Sequence, residues 1–342
     1  MKLILSFITV MLLNANLLLG QSGNAALDYL NKMGNEFKAI QSSSWDYTKS
    51  AANNKSARKT DKRRLELLQQ IEASIKNVSK LPAYDKKTYL KDSVLSYLKM
   101  QKIVISEDYS KIMDLEDVAE SSYDAMEAYL KAREIADDKL GESYVKVSSA
   151  YAAFAKENNI TLLESGKDDK VSAQLKIANE VYAYYNEVYL IFFKAYKQEA
   201  YLLDALSKGD LSAIEQNKVS LSKVSGECQL KLKAKQPFRN SDNSMRGTAT
   251  ALVDFYKNEA DVRFAKLIDF QIKQEAFTKA KKAFETNKNK TNDDVNTYNK
   301  LINDMNSASA EFNKTNNDLF KQRTTLLNEW NKSSQDFTAK YL

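Results

Sequence analysis

The segment 114–157 reads DLEDVAESSYDAMEAYLKAREIADDKLGESYVKVSSAYAAFAKE and has the clearest periodicity in the chain. Its apolar side chains recur at intervals that alternate between four and three residues, at Ala119, Tyr123, Met126, Leu130, Leu140, Tyr144, Val147, Tyr151 and Phe154. Such spacing is typical of a helix that packs one stripe against neighbouring helices. The segment therefore predicts a long helix in a helical bundle.

Polar residues interrupt this stripe at Arg133 and Asp137, which are one helical turn apart and can pair with each other. We expect a partly buried polar layer that fixes the register of the helices, rather than a catalytic carboxylate. The last segment repeats the pattern. Its apolar stripe, with Leu319, Leu326 and Trp330 near its end, is interrupted by Ser309, Asn316 and Arg323.

The composition extends this reading to the whole chain. Only 8 glycines and 2 prolines occur among 342 residues, where roughly 12% is usual, so most of the turns that sheets require are missing. We predict an all-α fold, an elongated bundle of long antiparallel helices. The few helix-breaking residues divide the chain into predicted helices near 24–53, 57–79, 84–107, 114–157, 168–207, 210–234, 245–286 and 292–341.

An internal repeat is visible at a spacing of 155 residues. Pro82 and Pro237 each follow a basic segment, and Phe37 corresponds to Phe192 at the same offset. We predict two duplicated four-helix modules, residues 21–160 and 165–342. The alternative is the generic resemblance of any two helical bundles.

The first twenty residues predict export. Lys2 precedes an apolar run over residues 3–13, and Gly20 offers a small residue for cleavage, as a secretory signal peptide requires. An uncleaved anchor is the alternative, although Asn14 and Asn16 interrupt the apolar run. No later run is apolar enough to span a membrane, so we expect residence in a bacterial periplasm or on the cell surface, without a transmembrane span after signal removal.

Catalytic chemistry is restricted by what the chain lacks. Histidine is absent, which excludes histidine acid–base catalysis and most imidazole-containing metal sites. The single cysteine, Cys228, cannot form an internal disulfide, and its spacing from Leu221 and Val224 predicts an ordinary buried thiol. We expect no cofactor, no metal and no enzymatic activity. An enzyme built from carboxylates and tyrosines would need a cleft where two acids converge.

The densest charge cluster lies between residues 55 and 64. On a helix, four of its cations span an arc of about 140°, and the candidate anion-binding residues are Lys55, Arg58, Lys59, Lys62 and Arg63. They could bind phosphates, lipid headgroups or an acidic partner. The alternative is an ordinary solvated helix face. Nucleic acid is not expected, because a net charge of +6 over 342 residues is diffuse and no recognition motif is present.

An aromatic stripe marks the segment 168–207, at Tyr182, Tyr185, Tyr189, Phe192 and Tyr196. A stripe at helical spacing usually belongs to a core. Because tyrosine offers both an apolar ring and a hydroxyl, the stripe could instead line a groove for a hydrophobic or glycan ligand.

A family resemblance is carried by residues 45–68. They contain Trp45-Asp46-Tyr47, then Lys55-Ser56-Ala57-Arg58-Lys59, and then Lys62-Arg63-Arg64-x-Glu66-Leu67-Leu68. The chain resembles a family of exported bacterial surface proteins of the kind known from leptospires and Bacteroidetes. The resemblance implies an envelope location and supplies no catalytic or binding residues. We therefore expect a non-enzymatic envelope protein that binds a partner or an anionic envelope component; the alternative is a periplasmic carrier that uses the aromatic groove.

Overall fold

A computed structural model describes residues 16–17, 25–52, 57–163 and 170–342. Within these ranges the chain forms ten α-helices and two π-helical turns. The helices are α1 (Ala25–Ala52), α2 (Ala57–Lys80), α3 (Tyr89–Ile103), α4 (Tyr109–Ala119), α5 (Tyr123–Glu157), α6 (Lys170–Lys208), α7 (Leu211–Ala234), α8 (Ser244–Asn258), α9 (Phe264–Thr286) and α10 (Asn292–Tyr341). The π-helical turns are π1 (Val104–Asp108) and π2 (Glu259–Arg263). The all-α prediction is confirmed.

Extended structure among the described residues is limited to β1 (Asn16–Leu17) and β2 (Leu162–Leu163). The two strands pair in antiparallel register, Asn16 with Leu163 and Leu17 with Leu162. The rest of the predicted signal peptide, residues 1–20, lies outside the described residues. No helix of the described part is long and apolar enough to cross a membrane.

Capping chemistry sets several helix ends. Gly209 has a φ of 66°, the left-handed conformation that glycine adopts without strain, and it ends α6. Asp210 Oδ1 then accepts a hydrogen bond of 3.0 Å from the Ala213 amide and begins α7. Before α10, Thr291 and Asp294 form a reciprocal capping box: the Thr291 amide donates to Asp294 Oδ2 (2.8 Å), and the Asp294 amide donates to Thr291 Oγ1 (3.2 Å).

Two predicted helix boundaries are wrong. The helix predicted from residue 84 begins only at Tyr89, and the break predicted between residues 107 and 114 is absent, because α3 continues through π1 into α4, which ends at Ala119. The break lies instead before α5, where Ser122 Oγ accepts from the Ala125 amide at 3.1 Å. A π-helical turn adds one residue without breaking the helix. It therefore changes the direction of the side chains that follow without leaving a glycine or proline signal in the sequence.

The stripe of α5 is rotated slightly from its predicted position. Leu130 is only half-buried, whereas Tyr129, Arg133, Ala136 and Leu140 are buried. The packed face of this part of α5 therefore passes through Tyr129 rather than Leu130. Arg133, the predicted polar interruption of the stripe, is buried in that face.

The chain divides into two compact units, Met1–Asn186 with Thr338–Leu342, and Glu187–Phe337. In the first unit, Phe37 packs between Tyr97 and Tyr151, with ring centroids 5.8 and 6.1 Å apart. In the second, Phe192 of α6 packs against Trp330 of α10 at 4.3 Å. Each unit thus has its own aromatic core. The predicted module limits at residues 160 and 165 remain a prediction.

Several features of the first unit recur in the second, and the two π-helical turns do so at a spacing of 155 residues. π1 begins at Val104 and π2 at Glu259, and each follows a helix of 15 residues, α3 or α8. Before α3, Tyr84 pairs with Lys87 in an isolated bridge; before α8, Phe238 pairs with Asp242. One residue of each bridge also has an aromatic ring that packs edge-on against the ring of a phenylalanine from a helix further along the chain. Tyr84 lies 5.2 Å from Phe154, and Phe238 lies 5.1 Å from Phe337.

Candidate functional site

The predicted basic cluster lies where α1 ends and α2 begins. Lys59, Lys62 and Arg63 occupy the first two turns of α2 and are exposed to solvent. Lys55 lies outside the described residues, and of Arg58 only the backbone is described, as part of α2. The structure therefore describes three of the five predicted anion-binding side chains, and it brings these three together.

A cavity accompanies these three cations. It has a volume of about 290 Å³ and is lined by Ser50, Lys59, Lys62 and Arg63. Ser50 belongs to the last turns of α1, so the cavity lies at the corner between α1 and α2. The cluster is thus more than a charged helix face, because it borders a cavity.

Two hydroxyl groups at this corner have no hydrogen-bond partner among the described residues, Ser50 Oγ and Thr60 Oγ1. Ser50 is only 3% exposed and Thr60 only 7%. A buried hydroxyl without a partner destabilises the fold by roughly 1–3 kcal/mol, so each needs an explanation. Of the two, Ser50 lines the cavity.

Glu66 is the acidic partner of the cluster. Its carboxylate accepts a hydrogen bond of 2.6 Å from Arg63 Nη1 and lies 3.9 Å from Lys62 Nζ. One carboxylate thus faces two of the three cations, and Lys59 forms no ion pair with any described residue. The cavity keeps an excess of positive charge.

Arg64 belongs to the same run of basic residues but has another role. Its Nε donates to Asp61 Oδ1 at 2.9 Å, and its Nη1 donates to the carbonyl of Ile105 at 3.0 Å. Ile105 lies in π1. Arg64 therefore ties α2 to the π-helical turn.

The predicted aromatic stripe is largely core. Tyr182, Tyr185, Tyr189 and Phe192 are each at most 2% exposed, while Tyr196 is half-buried. The first two belong to the first unit and the other three to the second. In the second unit, Tyr189 stacks on Phe193 at 5.2 Å and lies 6.3 Å from Trp330. These rings fill space by packing against one another.

A charge cluster that the sequence did not predict lies inside the second unit. Glu199 of α6 and Glu259 of π2 are 2% and 0% exposed, and both carboxyls bind Arg323 of α10. The Arg323 Nη2 to Glu259 Oε1 distance is 2.6 Å. One guanidinium therefore faces two buried carboxyl groups.

Burial raises the pKa of both carboxyls in this cluster. For Glu199 the nearby charge of Glu259 raises the pKa further, although Arg323 opposes it. Glu259 Oε2 has no donor among the described residues, yet the two carboxyls are close enough to hydrogen bond to each other. A proton retained by one carboxyl supplies the missing donor and leaves one negative charge to balance Arg323. Two acids converge here, but they are enclosed in the core.

The first unit has a buried arginine of its own. Arg133 is 3% exposed, and its Nη1 donates to Tyr129 Oη at 2.9 Å. Asp137, one turn further along α5, favours the charged guanidinium electrostatically. The predicted polar layer of α5 is thus present. The hydrogen bond described for Arg133 is made to Tyr129.

Cys228 is a buried thiol, as predicted. It is 2% exposed, and its Sγ donates to the carbonyl of Ile191 at 3.0 Å. Burial raises the pKa of this thiol to about 11, so it stays protonated and weakly reactive at neutral pH.

No group of three or more potential metal ligands occurs among the described residues. Comparisons with protein-family models, curated proteins and solved structures found no match for the chain.

Proposed function

We propose that this protein is a non-enzymatic, exported envelope or surface protein that binds an anionic partner through the start of α2. The observation that supports the proposal is the exposed cluster of Lys59, Lys62 and Arg63 beside a cavity. Attraction by several cations on one face adds up, while each exposed cation contributes little to folding stability. The cluster is therefore better explained by binding than by stability.

The carrier alternative has weaker support. It requires space beside the aromatic stripe, and the described rings of the stripe are packed against one another and against Trp330. The basic corner, by contrast, has both exposed charge and open volume.

The test is binding to vesicles that contain an anionic lipid, measured at increasing salt. Screening shortens the Debye length from about 10 Å at 0.1 M to about 3 Å at 1 M, so association should weaken steeply. The triple variant Lys59→Glu, Lys62→Glu and Arg63→Glu should lose binding while its melting temperature stays nearly unchanged.

A matched control reverses three other exposed lysines, by Lys279→Glu, Lys282→Glu and Lys288→Glu. It changes the net charge equally and should retain most of the binding. Equal loss in both variants would show that only total charge matters and would overturn the assignment to α2.

We infer further that the two units arose by duplication. The 155-residue spacing of π1 and π2, and the matching bridge and aromatic pair that precede α3 and α8, support this inference. The cluster of Glu199, Glu259 and Arg323 has no counterpart in the first unit at this spacing, because the residue 155 positions before Glu259 is Val104.

A further inference from the structure

We propose that the cavity between the end of α1 and the start of α2 binds a single phosphate group, which accepts a hydrogen bond from Ser50 Oγ. The inference rests on the proposed function and narrows it from a charged surface to one cavity that binds one phosphate group. It assigns Ser50, which no charge pattern identifies, as a ligand-binding residue.

Ser50 provides the first step of the argument. Its hydroxyl is buried, lines the cavity and has no partner among the described residues. A serine near the end of a helix can usually hydrogen bond to the backbone carbonyl four residues earlier, as Ser44 does to Ile40 at 2.9 Å. Ser50 does not. Its donor is therefore available to an acceptor in the cavity.

The surrounding charge selects the class of acceptor. Lys59, Lys62 and Arg63 line the same space, and Glu66 neutralises only part of their charge. A ligand with about two negative charges balances what remains. A phosphate monoester has this charge and several acceptor oxygens, which suit both the lysine ammonium groups and the arginine fork.

The start of α2 adds to this preference. The cations occupy the first two turns of a 24-residue helix, where amide groups without helical acceptors and the helix dipole favour an anion. Their positive charge at this end is unfavourable for the helix itself. A bound phosphate would remove that repulsion.

The cavity volume limits the size of the ligand. The cavity volume is about 290 Å³. Pockets for drug-sized ligands begin at about 300 Å³. The site therefore suits a lipid headgroup or a small phosphorylated solute, and both sources share the same phosphate chemistry.

The experiment measures binding to the full chain by titration calorimetry, with inorganic phosphate and glycerol phosphate as free probes. A second arm uses phosphatidylcholine vesicles with and without phosphatidic acid, whose headgroup is a phosphate monoester. Binding of the free probes identifies a solute site. Binding of phosphatidic acid alone identifies a membrane headgroup. Either result supports a phosphate site, and absence of binding in both arms overturns it.

The decisive variant is Ser50→Ala, because it changes no charge. It should weaken phosphate binding by about tenfold, as expected for a lost hydrogen bond to a charged group, and it should leave the melting temperature unchanged or raised. Ser225→Ala is the matched control, since Ser225 is also buried and lacks a partner among the described residues but does not line this cavity. It should bind phosphate normally.

Charge variants separate this inference from the proposed function. Lys59→Gln should weaken phosphate binding, whereas Lys76→Gln, an exposed lysine further along α2, should not. If Ser50→Ala binds phosphate like the unmodified protein, the phosphate site in the cavity is wrong, even where the triple reversal on α2 still abolishes vesicle binding. If the triple reversal has no effect either, the proposed function fails as well.

Discussion

At the scale of single residues, the carboxyl pair of Glu199 and Glu259 makes the stability of the second unit depend on pH. Both carboxyls are buried and share Arg323, and burial raises the pKa of each. In the unfolded chain each carboxyl titrates near its ordinary pKa of 4.5. The native state therefore retains a proton that the unfolded state releases.

The sign of the pH effect follows from this difference. As pH rises from about 4.5 through the raised pKa, the unfolded state binds fewer protons, and the free energy of unfolding falls by up to about 1.4 kcal/mol per pH unit for each proton. We expect Glu259→Gln to flatten this slope, because the amide stays neutral and can donate to Glu199. The slope of the free energy of unfolding against pH is measured by urea unfolding. Trp330 fluorescence follows the unfolding, and Trp45→Phe removes the other tryptophan so that the signal reports on the second unit. Glu275→Gln, at an exposed position, should retain the full slope; a flattened slope in that control would contradict the assignment.

At the scale of elements, the rotation of α5 has a measurable consequence. Leu140 is fully buried, whereas Leu130 is half-buried, although the same sequence stripe contains both. Leu140→Ala should lower the free energy of unfolding by about 2–5 kcal/mol, because it removes buried methyl groups and leaves a cavity. Leu130→Ala should cost clearly less. Chemical denaturation of the two variants compares them directly, and equal losses would show that the stripe predicted from sequence is the true packed face.

The helices themselves were predictable because their signals are local. Scarcity of glycine and proline predicts long helices, and the Gly209–Asp210 pair and the Thr291–Asp294 box mark their ends through nearby backbone groups. π1 has no such local signal. The sequence therefore predicts a break near residues 107–114 in a helix that continues to Ala119.

The candidate site was only partly predictable for a related reason. The basic run at 58–63 is visible as charge, but the importance of Ser50 depends on a missing partner, and only packing reveals it. The sequence does not predict the buried ion cluster, although Arg323 interrupts an apolar stripe. Its two partners lie 124 and 64 residues away in sequence. Only the fold brings the three helices together.

At the scale of the whole molecule, Asn16 and Leu17 are the described residues among the first twenty, and they form β1, which pairs with β2. An isolated pairing of this size is marginal in water, whereas the described core of the first unit is formed by helices that begin at Ala25. A removable signal peptide must leave the fold intact after its loss, and the loss of this one pairing should cost little stability.

We therefore expect a chain that begins at Gln21 to keep the helical circular dichroism of the full chain and a melting temperature within a few degrees of it. Mass spectrometry of the native protein from the cell envelope should find Gln21, in free or cyclised form, at its amino terminus. The two measurements answer different questions: the first asks whether residues 1–20 can be removed, and the second whether the cell removes them. A shortened chain that unfolds would show that these residues belong to the fold. A native protein that retains Met1 would favour the uncleaved anchor and place the basic start of α2 only some forty residues from a membrane.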